Sequence, residues 1–221
     1  LLDRDYPPRR SGLVNNDSSA VNHALTPLFF GVTRNVDMTD YQYGGVREAT
    51  VYLTKDTNRF SIVLQNLSGE NLNPTDFSFY LTDDNGRLDC VNNLFGDEQL
   101  TYRAWSVRSG TAGVTSHDGT TVTGVSAVVA EITTNRLVKG HDMRLHIVDK
   151  GNNKEIVNIP VIDYCLLVKS AHYNSMSDQE YLDREDHYDM VFFLDNGRNW
   201  LATSIFINSW RVVLQNADLG Q

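Results

Sequence analysis

The sequence predicts an all-β fold of the sandwich type, on three observations. From about residue 48 onward apolar and polar residues alternate in short runs, the period of a strand with one buried face. Clusters of Asp, Asn and Gly, such as Asp83-Asp-Asn-Gly86, Asp149-Lys-Gly-Asn-Asn153 and Asp195-Asn-Gly197, punctuate those runs as turns. Only one segment carries a helix-start signature, so helix is a short insert and not a layer. Strands at short, regular spacing with almost no helix are the pattern of a β-sandwich. With 221 residues, 41% of them hydrophobic and 21% charged, the chain is long enough for a real core and fits neither a disordered nor a membrane class.

The elements follow in chain order. Residues 1–24 are polar and broken by Pro7-Pro8 and Asn15-Asn-Asp-Ser-Ser19, which predicts a loop or disordered arm. An apolar stretch at 25–32, with Leu28, Phe29 and Phe30, leads into a polar link through Gly44-Gly45. The expected division is therefore an N-terminal segment, 1–45, and a sandwich domain, 46–221. Two strand pieces lie in 50–66, with Phe60, Ile62 and Leu64 on one face. Phe77, Phe79 and Leu81 alternate into an Asn85-Gly86 hairpin turn, and Leu88 and Cys90 continue on the return strand. The Ser-, Thr- and Gly-rich stretch 106–126 is expected to be a loop or a weak edge, and 128–132 a strand. Met143, Leu145 and Ile147 alternate before the turn at 149–153, and the return strand is expected over 156–168. Pro160 cannot donate to a ladder, so that strand lies at an edge or bulges there. Ser177 with Glu180 forms a capping box and predicts a helical turn or two through Arg184. A closing hairpin pairs Met190, Phe192 and Leu194 with 200–215, its positive φ values supplied by the Asp195-Asn-Gly197 turn.

Chemistry is sparse. A net charge of −9 argues against nucleic acid as a partner, because phosphate binding needs a positive surface. No apolar run is long enough to span a bilayer as a helix. Cys90 and Cys165 do not encode a disulfide framework, and two buried free thiols are expected ahead of a bridge between them. The six histidines are scattered without ligand spacing, and no nucleophile elbow, P-loop or dinucleotide fingerprint occurs. The expectation is a protein that is not an enzyme, with no catalytic or metal-ligating residues and no cofactor. Asp178, Glu180, Asp183, Glu185 and Asp186 cluster as a glycosidase's carboxylates might, but capping of a short helix and pairing with Arg184 explain them better. Asp83-Asp-Asn-Gly86 resembles a calcium loop only superficially, since the later glutamate of an EF-hand is missing. Trp105, Trp200 and Trp210, with Tyr41, Tyr43, Tyr52 and Tyr173, could stack on sugar rings; packing is the commoner role of strand aromatics.

Several blocks in order go beyond composition: Asn58-Arg59 with Ile62-Val-Leu-Gln-Asn-Leu-Ser68; Phe77-Ser-Phe79 into Thr82-Asp-Asp-Asn-Gly86; Asn135-Arg-Leu137; Asn158-Ile-Pro160 with Ile162-Asp-Tyr164; Asp178-Gln-Glu-Tyr-Leu-Asp-Arg-Glu185; Phe192-Phe-Leu-Asp195; and Ile207-Asn-Ser-Trp-Arg-Val212. Over about residues 25–221 the chain resembles the FimB-type fimbrial anchor-subunit family of Bacteroidales, part of the type V pilus system. The resemblance implies transthyretin-like β-sandwich domains and a cell-surface lipoprotein of the outer membrane, which holds a pilus to the cell and limits its length. It implies other pilus subunits as partners. Residues 1–45 would then hold the remnant of a first sandwich domain, and the lipid anchor would belong to a longer parent protein. The chain itself is expected to be soluble.

Pilins of this kind join by strand addition, in which one subunit's extended segment completes another's sheet. Two segments are candidates, one at Leu28, Phe29 and Phe30 and the other at Trp210, Val212 and Leu214. The alternatives are a secreted glycan-binding module, a pilus tip or minor adhesin, and, further off, a carbohydrate-active enzyme.

Overall fold

The computed structural model describes residues 20–36, 38, 45–95, 98–115, 121–202 and 204–213. Two sheets share one hydrophobic core. The first holds β1 (Ala20–Val21), β5 (Phe77–Asp83), β6 (Leu100–Arg103), β9 (Arg144–Asp149) and β10 (Lys154–Pro160), in the order β1-β6-β5-β9-β10. The second holds β4 (Thr57–Asn66), β7 (Ser106–Thr115), β8 (Thr121–Asn135), β11 (His187–Leu194), β12 (Ser204–Ile207) and β13 (Trp210–Val213), in the order β13-β12-β11-β4-β8-β7. A separate ribbon joins β2 (Phe29–Phe30) to β3 (Thr54–Lys55). The chain is thus an all-β sandwich, with helices α1 (Val161–His172) and α2 (Asp178–Arg184) between β10 and β11.

Alternation builds the core as the sequence requires. Phe60, Ile62 and Leu64 of β4 face inward beside Val128, Ala130 and Ile132 of β8 and Tyr188, Met190, Phe192 and Leu194 of β11. Opposite them stand Phe77, Phe79 and Leu81 of β5 with Leu145 and Ile147 of β9. All are buried, and each such side chain contributes about 1.5–3 kcal/mol of transfer free energy. The N-terminal segment also reaches the sandwich. Ala20 and Val21 are buried and pair in parallel with Thr101 and Tyr102, while Leu25 donates its N–H to Thr133 Oγ1 at 2.9 Å.

Four expectations are corrected. The strand expected over 156–168 ends at Pro160, and α1 begins at once. Its buried residues Val161, Ile162, Cys165 and Val168 recur at helical spacing while Asp163 and Leu167 stay exposed. Pro160 does close an edge strand, and β10 shifts register between Glu155 and Val157. Asn85-Gly86 does not turn a tight hairpin. The partner of β5 is β6, reached through a long loop, because the Asn85 side chain is drawn inside to accept from Tyr102 Oη at 2.6 Å and donate to the Arg136 carbonyl at 3.0 Å. Leu88 makes a lone bridge with Leu94, and Cys90 is exposed. The stretch 106–126 is not a loop but the paired arms of β7 and β8. As an edge strand, β7 carries the polar residues that made it look irregular.

The closing strand also divides in two. β12 and β13 form a tight hairpin whose central residues, Asn208 and Ser209, have φ of 48° and 69°. At the 195–197 turn the positive φ falls on Arg198, at 58°, and not on Gly197. Positive φ at both central positions is the geometry of a type I′ turn, which glycine meets without a steric penalty. Ser209→Gly is therefore expected to stabilise the chain by about 0.5–1 kcal/mol, read as a higher urea midpoint at unchanged slope.

Candidate functional site

The acidic insert is a structural joint. Ser177 Oγ accepts the Glu180 N–H at 3.1 Å, closing the cap that starts α2. Glu180 pairs with Arg184 one turn later at 2.7 Å. Asp178 reaches Lys139 at 2.5 Å and Lys169 at 3.1 Å, and these two hydrogen bonds hold its carboxyl below the usual range. Asp183 receives Arg136 through Nε at 2.8 Å and a terminal nitrogen at 2.7 Å, and Asp186 takes Lys55 at 2.6 Å. Burial is the first cause raising the Glu185 carboxyl, with Asp186 adding to it. Three of these five carboxylates, Asp178, Asp183 and Asp186, thus engage cations of neighbouring elements and so tie α2 to β3, α1 and the turn after β8. The Cys165 thiol lies fully buried near Glu185, and burial pushes its pKa well up, which suits packing and not nucleophilic chemistry.

The sheet edges are where a partner's backbone could add. In the first sheet the terminal strands are β1 and β10; in the second they are β13 and β7. Lys154, Glu155, Pro160 and a bulge blunt β10. Helix α1 approaches both β10 and β13, flanking the side of the sandwich on which those two strands end. Of the two segments singled out in the sequence, Phe29–Phe30 already pairs with Thr54–Lys55, and the Leu28 carbonyl accepts the Asp56 N–H at 2.7 Å. Trp210 and Val212 lie on β13, paired with Ile207 and Ile205; Leu214 lies outside the described residues.

Among the described residues, the ribbon and its flanks are the most apolar exposed feature. Phe29, Val32, Val46, Tyr52 and Leu53 are each more than half exposed. Gly31 lets its two arms close: a Cβ there would meet the Tyr52 carbonyl at 2.8 Å. A contiguous exposed group of large apolar side chains is unusual on a soluble surface and marks an interaction site.

The outer face of the second sheet carries a charge cluster that the sequence did not reveal. Glu131 of β8 receives Arg59 Nε at 2.9 Å and Arg108 at 3.5 Å, with Ser61 Oγ at 3.2 Å, and the Arg59 guanidinium lies over Trp105 at 6.0 Å. Burial tends to raise the Glu131 carboxyl, but the hydrogen bond and charge of Arg59, with Ser61 and Arg108, hold it below its ordinary value. A depressed carboxylate lends stability above its unfolded pKa of about 4.3 and loses it as pH falls through the lower folded value. Glu131→Gln is thus expected to lower the urea midpoint at neutral pH, with the gap to the native chain closing as pH falls through the depressed folded value. Among the described residues the aromatics make no shared row. Trp105 precedes β7, Trp210 stands on β13 at the opposite edge, and Trp200 packs edge-on against Phe192 at 5.9 Å. Tyr173 packs against Tyr181 at 5.5 Å, Tyr52 lies in the ribbon, and Tyr41 and Tyr43 lie outside the described residues.

Comparison with known proteins gives one family and one fold. The family model of fimbrillin-A associated anchor proteins Mfa1 and Mfa2 matches residues 10–216. Among solved structures, a candidate adhesin from Bacteroides thetaiotaomicron is 37% identical with a TM-score of 0.69, over 76% of this chain and 56% of that one. A second protein from the same organism, described as a candidate polysaccharide binder, is 27% identical with a TM-score of 0.69, over 93% of this chain and 66% of that one. The fimbrial anchor protein Mfa2 from Porphyromonas gingivalis shares the fold, at 17% identity and a TM-score of 0.60, over 91% of this chain and 65% of that one. The chain spans less than two thirds of the length of each of these proteins. No curated protein matches. With its sandwich, its helical joint and a family match running nearly end to end, the chain belongs to the Mfa2 family of fimbrillin-A associated anchor proteins.

Proposed function

We propose that the chain is the subunit-binding part of a fimbrial anchor seated in the outer membrane, which attaches the fibre and limits its length. Family membership supports a fimbrial anchor or adhesin-type subunit, working at the cell surface with other pilus subunits as partners. Among the described residues no helix is long and apolar enough to cross a membrane, a statement that leaves β-barrels aside. In this reading the membrane is reached through a lipid anchor in the parent protein, and the domain is of the transthyretin-like kind. Residues 1–45 carry the end of a first sandwich domain, apart from Ala20–Val21, which join the first sheet of this one.

The carrying observation is the exposed apolar ribbon of β2 and β3, set beside the family match. Such a ribbon is stable in water only when further strands or a partner cover it. Strand addition supplies that cover through backbone hydrogen bonds and needs no acid–base residues. Deleting the gene in its host is expected to release fibres into the medium or to lengthen them; cell-bound fibres of unchanged length would overturn the anchor reading. Labelled palmitate should enter the parent protein, and its exclusion would remove the lipid anchor. A photo-crosslinking residue at Phe29 or at Trp210 should capture a pilus subunit on cells, and silence at both positions would sink strand addition through these segments.

A further inference from the structure

We propose that Asp83, Asp84 and His141 form a binding site for a divalent transition-metal ion of the zinc class, at the end of the sandwich where β5 stops. These residues lie 57 positions apart in the chain, yet one donor atom from each falls within 4.8 Å of the others.

The backbone builds the trio. Asp83 is the last residue of β5 and occupies an inward position in its alternation, so its carboxylate is buried, with 5% of the residue exposed. Asp84 follows the strand and turns outward. His141 stands in a tight turn after β8, where its N–H donates to the Val138 carbonyl at 3.1 Å and Gly140 takes φ of 86°. That turn aims the ring at the end of β5. Nδ1 lies 2.9 Å from Asp84 Oδ1 and 3.5 Å from Asp83 Oδ1.

What points to a ligand is the state of Asp83. Its Oδ1 accepts the Asp84 N–H at 2.9 Å, but its Oδ2 is enclosed with no hydrogen-bond donor. A buried carboxylate oxygen left without a donor loses its hydration and gains nothing in exchange. The His141 ring faces this carboxylate, and the Asp84 carboxylate lies on the other side of the same ring nitrogen. An anion held in this way lacks positive charge, and a bound cation supplies it.

The donor set selects the metal class. Calcium takes six to eight oxygen ligands, whereas an imidazole with two carboxylates suits zinc or manganese. Zinc bonds these groups at about 2.0–2.2 Å, so binding must draw the donors inward and replace the direct contact between His141 and Asp84. Both of those side chains are partly exposed, which leaves the ion an approach from solvent and room for a bound water.

The test uses the whole 221-residue chain, titrated calorimetrically with zinc, manganese and calcium chlorides separately, with thermal unfolding followed in parallel. Zinc is expected to bind at one equivalent and to raise the melting temperature. His141→Ala and Asp84→Asn, at a half-buried and an exposed position, should each weaken binding by about tenfold or more. His187→Ala, which removes an exposed imidazole elsewhere, should leave the affinity unchanged and so separates this site from adventitious surface binding. Zinc affinity unchanged in His141→Ala, zinc binding lost in His187→Ala, or saturable binding of calcium alone would each overturn the proposal. So would the absence of saturable zinc binding in a chain that gives a normal unfolding transition.

Discussion

Arg136→Ala is expected to destabilise the chain by about 3–5 kcal/mol, the usual result of removing one partner from a buried ion pair. Arg136 lies just after β8 with a largely buried side chain, holds both oxygens of Asp183 on α2, and donates to the Asn92 carbonyl. It also lies 3.9 Å from Asp56, which is fully buried and accepts from the Asn92 amide at 2.9 Å. One guanidinium thus joins the helical insert, the long loop after β5 and the start of β4. Alanine leaves Asp183 short of its cation and deprives the Asn92 carbonyl of a donor. Lysine keeps the charge but cannot bridge two oxygens in a plane, so Arg136→Lys should fall between the two. Urea unfolding of the three proteins checks this, and a loss below about 1 kcal/mol for alanine would show that the joint is solvated like a surface pair.

Phe60→Ala is expected to cost a similar amount, about 3–5 kcal/mol. Phe60 sits on β4, between β8 and β11 in the second sheet, is fully buried, and stacks on Tyr188 at 5.3 Å with planes 19° apart. Removing the ring forfeits its burial, opens a cavity that the flanking ladders cannot collapse around, and loses an aromatic pair worth about 0.5–1.5 kcal/mol. Phe60→Leu fills most of the volume and should lose far less. A domain stable by about 5–15 kcal/mol has little room for the first change, so the alanine variant should show a much lower denaturation midpoint with the slope kept.

Much of this fold was legible because burial and alternation coincide in β4, β5, β9 and β11. Where one face is wholly inside, the two-residue period of Phe60, Ile62 and Leu64, or of Phe77, Phe79 and Leu81, is unmistakable. The period failed wherever packing was uneven. In α1 the outward Leu167 and the half-buried Tyr164 and Leu166 are themselves apolar, so the spacing of Val161, Ile162, Cys165 and Val168 was hidden inside what looked like a strand. The proline just before it, a common residue at a helix start, was the available signal. In β7 the reverse holds: an edge strand is half solvated, and its Ser, Thr and Gly resemble a loop. The Ser177 cap was legible because its bonds are local. Three-dimensional groupings were not. Nothing in the sequence brings His141 to Asp83, or Arg59 and Arg108 to Glu131, because the sheet register that joins them is set by the whole core.

The parallel pairing of β4 with β11, register by register from Arg59 opposite His187 to Asn66 opposite Leu194, also carries a kinetic consequence. The middle of the second sheet cannot close until nearly the whole chain exists, since its two inner strands come from opposite ends of the sequence. Closing so long a loop must precede the contacts that reward it, which makes folding slow and leaves the apolar face of β4 waiting for its neighbour. During synthesis or export the hairpin of β7 and β8 can shield one side of β4, while the other stays open until β11 arrives. A chain cut short before residue 187 therefore lacks the strand that completes its core, and the native fold itself certifies that synthesis has passed β11.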